Sequence, residues 1–267
     1  MRLFLFLVFL ACGLVSAAAS AAVSPKAAKA NKMTAAQIVN RNVAARGGVK
    51  AWRAVHTLTM SGRLEAGGKK NSELPFVMKM KRPYMSRLEI SFQDKTAVQV
   101  YNGKQGWKVR PFLGRDEVES FTPSEAKAAR EWQELDGPLV DYAKKGTKVK
   151  LQGMESVEGH KAYKLNLTMK NGVERHVWVD AASFLELKID GEPRILDGKL
   201  RNVAIFYRDY KKENGLTVPH VFETVVDGGK EPHNMYIERV AVNQSMDNAI
   251  FAKPQLAVAK ASMRQAR

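Results

Sequence analysis

The sequence predicts a mainly β domain with two helical segments, built around an antiparallel sheet. Three observations predict it. About a dozen short segments alternate apolar and polar side chains with the period of a strand. Gly159, Asn171-Gly172, Asn214-Gly215 and Gly228-Gly229 punctuate the later segments as hairpin turns. Only two stretches carry helical spacing.

The first of these follows Thr34-Ala35-Ala36-Gln37, a capping box with Thr34 as N-cap and Gln37 at the third helical position. Ile38, Val39 and Val43 form its apolar stripe, and Gly47-Gly48 stops it. A short turn over Val49 to Ala54 places Trp52 beside it. His56 to Leu64 is the first strand, and Gly67 to Asn71 the turn after it. In the next strand Leu74, Phe76, Met78 and Met80 share one face, with Val77, Lys79 and Lys81 opposite, until Pro83 breaks it. Leu88, Ile90 and Phe92 then oppose Arg87, Glu89 and Ser91. Two shorter strands, Val98 to Tyr101 and Trp107 to Arg110, are joined at Asn102-Gly103.

Asp116-Glu117-Glu119 reads as a loop that complements the N-terminus of a following helix. Thr122-Pro123-Ser124-Glu125 opens that second helical region, with Pro123 suited to its first position. Trp132, Leu135 and Leu139 follow about a turn apart. Gly137-Pro138 kinks the run, which ends near Lys145-Gly146. Strands resume over Lys148 to Val157, His160 to Met169, Val173 to Asp180, Phe184 to Ile189, Leu200 to Tyr210, Leu216 to Val226 and Asn234 to Val242.

The 267 residues are 45% hydrophobic and 26% charged, an ordinary globular balance, with no internal repeat and no composition shift. A single domain over residues 33–254 is therefore expected, between a flexible lead-in at 23–32 and a frayed tail at 255–267. Cys12 is the lone cysteine, which excludes a disulfide scaffold, a Cys-based zinc site and thiol-disulfide chemistry.

Residues 1–22 have the pattern of a secretory signal peptide. Met1-Arg2 is the positive start, Leu3 to Val15 the apolar run, and Ser16 to Ala22 the small-residue stretch, with candidate cuts after Ala19, Ala21 or Ala22. The apolar run is too short for a membrane span of about 20 residues. Lipidation at Cys12 is disfavoured by the short stretch before it and by Phe9 where leucine is usual. Cleavage leaves no cysteine, which suits an oxidising compartment. Export also changes the meaning of the charge. With 43 Lys and Arg against 27 Asp and Glu, net +16, an exported chain meets anionic lipid surfaces, and no nucleic-acid partner is expected.

Signs of catalysis are scarce. His56, His160, His176, His220 and His233 are scattered without metal-ligand spacing, and no GxSxG, phosphate loop or GxGxxG occurs. No enzyme activity, metal or cofactor is expected. The apolar investment stands out instead. Two helices scarcely cover one face of so long a sheet, which must either fold on itself or curve around a cavity roofed by the helices. Candidate lining residues are Met60, Phe76, Met78, Met80, Leu88 and Ile90 on the strands, with Trp107 and Trp178 elsewhere. Trp132, Leu135 and Leu139 come from the lid, placed at Ser124 to Lys145. Methionines suit a surface that must accept variable ligand shapes.

The stretch Ile38 to Val55, leading into Thr57-Leu58-Thr59-Met60-Ser61-Gly62, resembles the opening of LolA-like proteins, the outer-membrane lipoprotein-sorting superfamily. Tyr207-Arg208-Asp209-Tyr210, Gly215-Leu216-Thr217-Val218-Pro219, Tyr236 to Val240 with Asn243, and Phe251-Ala252-Lys253-Pro254 resemble its closing strands. The resemblance implies a curved antiparallel half-barrel roofed by helices, whose apolar interior carries acyl chains of lipoproteins or other lipids across the periplasm. It also implies a membrane-anchored donor or acceptor protein as partner, with an envelope sensor signalling through a partner as the alternative. It places no functional arginine here. Exposing an acyl chain of about 16 carbons costs roughly 12 kcal/mol, which an apolar cavity offsets without catalytic groups.

Overall fold

A computed structural model describes residues 33–65, 73–132, 134–196, 198–229 and 231–255, with backbone alone at 130–132. The segments expected as signal peptide and lead-in, the expected 67–71 turn, the Trp132 side chain and all but the first residue of the expected tail lie outside the described residues. Among the described residues no helix is long and apolar enough to cross a membrane.

The chain enters through α1 (Ala35–Ala45) and α2 (Val49–Arg53). Both halves of the capping box form: the Gln37 N–H donates to Thr34 Oγ1 at 3.2 Å, and the Thr34 N–H donates to Gln37 Oε1 at 2.8 Å. Gly47 ends α1 at φ 109°, where a Cβ would stand 2.5 Å from the Gly215 carbonyl oxygen, so only glycine fits. Trp52 on α2 is buried, and its indole N–H donates to the Arg46 carbonyl at 3.0 Å, locking the two helices together.

Next come β1 (Thr57–Glu65), β2 (Glu73–Lys81), β3 (Met85–Phe92), β4 (Lys95–Asn102), β5 (Gly106–Arg110) and β6 (Arg115–Ser120). After α3 (Pro123–Trp132) follow β7 (Lys148–Val157), β8 (His160–Thr168), β9 (Glu174–Asp180), β10 (Glu186–Asp190), β11 (Arg194–Leu196), β12 (Lys199–Arg201), β13 (Val203–Glu213), β14 (Leu216–Val226) and β15 (His233–Val242). A short 3-10 turn, Asn248–Phe251, buries Phe251. All strands but β11 and β12 form one antiparallel sheet, in the order β6-β5-β4-β3-β2-β1-β15-β14-β13-β10-β9-β8-β7. The sheet is curved and does not close into a barrel. The last strand, β15, lies mid-sheet, paired with β1 on one side and β14 on the other.

One face carries the core. Ile38, Val39 and Val43 of α1 and Trp52 of α2 pack on Leu58, Met80, Leu165, Leu167, Val177, Ile237 and Val240 of the sheet. At Gly62 the β1–β15 register shifts, and a Cβ there would fall 1.9 Å from the Tyr236 carbonyl oxygen. Glycine lets the sheet bulge and bend at this point.

The structure departs from the sequence reading in three places. Residues 115–120, read as a loop, are the edge strand β6. Their charges suit an edge that must resist further pairing, and Glu119 takes a 2.5 Å bond from Arg110 on the neighbouring strand. The second helical region ends at Trp132, and residues 134–146 form turns. Leu139 and Val140 drop into the core at 0% exposure, while Lys145 donates to Glu134, Asp136 and the Gly137 carbonyl at 2.6–2.7 Å. The strand expected from Leu200 is split, because β11 and β12 form a separate hairpin before β13 begins.

Candidate functional site

The pairing register sorts the predicted lining residues. Partners opposed across an antiparallel ladder point to the same side. Leu88 opposes Met78, Met78 opposes Met60, and Met60 opposes Val240, one unbroken row on the inner face that α1 and α2 cover. Ile90 opposes Phe76 and Met80 opposes Leu58 on that same face. Leu135 and Leu139 reach it from the 134–146 turns.

Trp107 and Trp178 are corrections. Trp107 pairs with Val100, which pairs with Arg87, and Arg87 opposes Lys79; this places Trp107 on the outer side. Trp178 packs with Val157 and Ala162 in a separate outer cluster. Lys188 lies 3.8 Å and Lys164 5.2 Å from its ring centroid, and its N–H donates to Glu155 at 2.7 Å. Composition identified these tryptophans, but strand parity decides their side: in β9 the core positions are Val177 and Val179, and Trp178 falls between them.

The roofed cavity also needs correction. Beneath α1 and α2 the space is filled by the protein's own side chains, with Phe76, Met80 and Leu139 buried among them. Apolar surface remains accessible beyond the helices, toward the end of the sheet where β1 meets β2. There Leu74 opposes Leu64, Leu64 opposes Met235, Met235 opposes Phe222, and Phe222 opposes Tyr207. This row crosses five adjacent strands, and all five residues are half-buried. Sequence reading missed Leu64, Met235, Phe222 and Tyr207 as members, since only the placement of β15 beside β1 brings them together.

The row ends at a polar wall. The Tyr207 ring meets Phe222 edge-on at 5.4 Å, and burial pushes its phenol up to about 12. Tyr210 donates its hydroxyl to the Glu186 carbonyl at 2.9 Å, and burial raises its phenol well above the ordinary value. Glu186 in turn accepts from Arg46 at 3.2 Å, and the Arg46 guanidinium lies 4.5 Å from the Trp52 ring centroid. Both phenols stay protonated at neutral pH, so they serve as hydrogen-bond donors and as apolar surface. Among the described residues no three His, Cys, Asp or Glu side chains gather into a metal site. Two other hollows lie away from the row. One of about 470 Å³ runs between α1, α2 and residues 139–144. The other, about 400 Å³, lies by Arg63, His220 and Tyr236.

No family model and no curated protein matches the sequence. Solved structures do. A LolA superfamily protein from Nitrosomonas europaea superposes with a TM-score of 0.53 at 16% identity, covering 83% of this chain and 98% of that one. The chain has a LolA-like fold. An outer membrane lipoprotein-sorting protein domain from Vibrio parahaemolyticus gives 0.53 at 13% identity, covering 81% of this chain and 95% of that one. A DUF1329 family protein from Desulfovibrio piger gives 0.54 at 15%, covering 82% and 97%.

Within this LolA-like fold α3 is clasped to the sheet by ions. Lys108 on β5 donates to Glu125 in the first turn of α3, and Glu125 also accepts from the Thr122 N–H at 2.8 Å. Burial opposes the charge on Glu125, yet Lys108 and Thr122 together hold its carboxyl below the ordinary 4.5. A lowered folded-state value means the clasp is complete above the ordinary value and is lost as pH falls through the lowered one. Amide protection across α3, relative to intrinsic exchange rates, should therefore hold steady from neutral pH down to the ordinary carboxylate range and fall only below it. Glu125→Gln should expose α3 to exchange at neutral pH and flatten that acid response.

Proposed function

We propose that this protein carries acyl chains of lipids or lipoproteins through the periplasm, where the signal-peptide pattern of residues 1–22 would deliver it. The row Leu74–Leu64–Met235–Phe222–Tyr207 carries the reading: five apolar or aromatic neighbours, left half-buried on the inner face beyond its packed core. At about 4.8 Å per strand the row spans about 19 Å. A membrane leaflet is about 15 Å thick in hydrocarbon, so one acyl chain fits along the row. Met60, Met78, Leu88 and Ile90 extend the same apolar surface, and α3, held to β5 through Lys108 and Glu125, would be its cover, while residues 134–146 stay fixed by Leu139 and Lys145. Binding of this kind uses burial of methylenes, about 0.8 kcal/mol each, and involves no bond chemistry. A membrane-anchored donor or acceptor protein would load and unload the chain.

Native mass spectrometry of the protein purified from membrane-containing cells tests this. The expected result is a bound acyl lipid, identified after extraction, that is missing from a folded Leu64→Arg variant. Protein that arrives without lipid and does not take up a fluorescent fatty acid overturns the carrier reading.

A further inference from the structure

Hydrophobic exposure is concentrated at one end of the molecule. Eight large apolar side chains are exposed among the described residues. Following the antiparallel strands, Phe92, Phe112, Leu113, Ile195 and Leu200 all fall at the end of the sheet where β1 meets β2, β8 meets β9 and β10 leads into β13. The two most exposed, Ile195 at 77% and Leu200 at 72%, oppose each other across the β11–β12 hairpin. Beside the hairpin's apolar pair stand Arg194 and Arg201, directly opposed one residue, about 3.4 Å, further from the turn. Like charges directly opposed in a ladder repel, so this pairing favours an anion lying between them. The hairpin from Arg194 to Arg201 holds three cations, Arg194, Lys199 and Arg201, against the single acid Asp197.

We propose that the Arg194–Arg201 hairpin docks this protein on an anionic lipid bilayer, with Ile195 and Leu200 entering the headgroup layer and the two arginines held by lipid phosphates. Bilayer chemistry fits the observations. Ile195 and Leu200 share one face of the hairpin, and Arg194 and Arg201, at the next register position, start from the other face, from where long side chains can reach lipid phosphates at the hairpin's rim and bind their oxygens in pairs. The net charge of +16 attracts the whole chain to the same surface. The accessible inner row lies toward this end of the sheet, so docking would bring its open side to the membrane. The proposal rests on the carrier reading for its purpose, but its measurement is independent of cargo.

The test is flotation of the full mature chain with vesicles of phosphatidylglycerol and phosphatidylethanolamine, beside vesicles of phosphatidylcholine alone. Wild type should float with the anionic vesicles and weakly with the neutral ones. The pairs Ile195→Ser with Leu200→Ser, and Arg194→Gln with Arg201→Gln, should each lower anionic partitioning about tenfold or more at 0.15 M salt. Ile195, Leu200 and Arg194 are exposed and Arg201 is half-buried, and melting curves check that the variants are folded. Wild-type protein that stays with the soluble fraction, or hairpin variants that float as wild type does, overturns the proposal. So does a hairpin effect seen only as loss of self-association, which would assign the surface to a second copy of the chain. Lipid extracted from the same preparations separates the two readings. Hairpin-dependent flotation without bound cargo supports docking and removes the carrier reading, whereas cargo without hairpin-dependent flotation removes docking alone.

Discussion

Met78→Arg should abolish acyl-chain binding while leaving the sheet folded. Met78 is half-buried, stands between Met60 and Leu88 on the inner face, and packs against the core without being enclosed by it. An arginine there can run its methylenes along the neighbouring apolar surface and turn its guanidinium to water, which limits the cost to folding. An acyl chain on the same surface would meet a cation. Placing a charge among hydrocarbon costs about 2.5–3.5 kcal/mol even with relief by snorkelling, a loss of roughly a hundredfold in affinity. Titration with a fluorescent fatty acid measures the loss, and a thermal melt of the same sample checks the fold. Met78→Leu should behave as wild type. Unfolding by Met78→Arg would place Met78 in the core and remove it from the lining.

Glu186→Ala should cost about 3–5 kcal/mol of stability, because it strands a buried cation. The Arg46 side chain is 9% exposed and that of Glu186 7%, and they meet at 3.2 Å. Arg46 Nη1 also donates to the Asp136 carbonyl at 3.0 Å, so the pair ties α1 to both β10 and the turns that carry Leu139. Tyr210 loses a partner as well, since its hydroxyl lies 3.3 Å from Glu186 Oε2. For a domain of this size the melting temperature should fall by roughly 10 °C. The paired change Arg46→Met with Glu186→Leu should recover much of the loss, since it removes both charges from the interior. A single-variant loss below about 1 kcal/mol would show that the ion pair is not what holds α1 to β10.

Local chemistry made much of the fold legible. The Thr34–Gln37 capping box, the alternating face of β2, and β7 and β14 at their full lengths follow from near-neighbour spacing, which is what a sequence encodes most directly. Leucines about a turn apart at 135 and 139 misled, because Gly137-Pro138 favours a turn and the buried bonds of Lys145 hold it. On the inner face, the shared side of Met60, Met78, Leu88 and Ile90 is legible from parity within their own strands. Leu64, Met235, Phe222 and Tyr207 were not, since their adjacency depends on strands distant in sequence. Trp107 and Trp178 were drawn in by size, yet a one-residue step in a strand reverses the side a ring faces.

The position of β15 has a consequence for how the polypeptide reaches this state. Without it the order β6 to β1 and the order β14 to β7 are two separate blocks, each ending in unsatisfied peptide groups at Thr57–Glu65 and Leu216–Val226. Leu58 finds Val242 only after nearly all of the described polypeptide has been made. Closing so long a loop is slow, so assembly waits on the C-terminal strand. Until then the blocks must be kept from pairing with other molecules, and a truncation ahead of His233 would leave both open to aggregation.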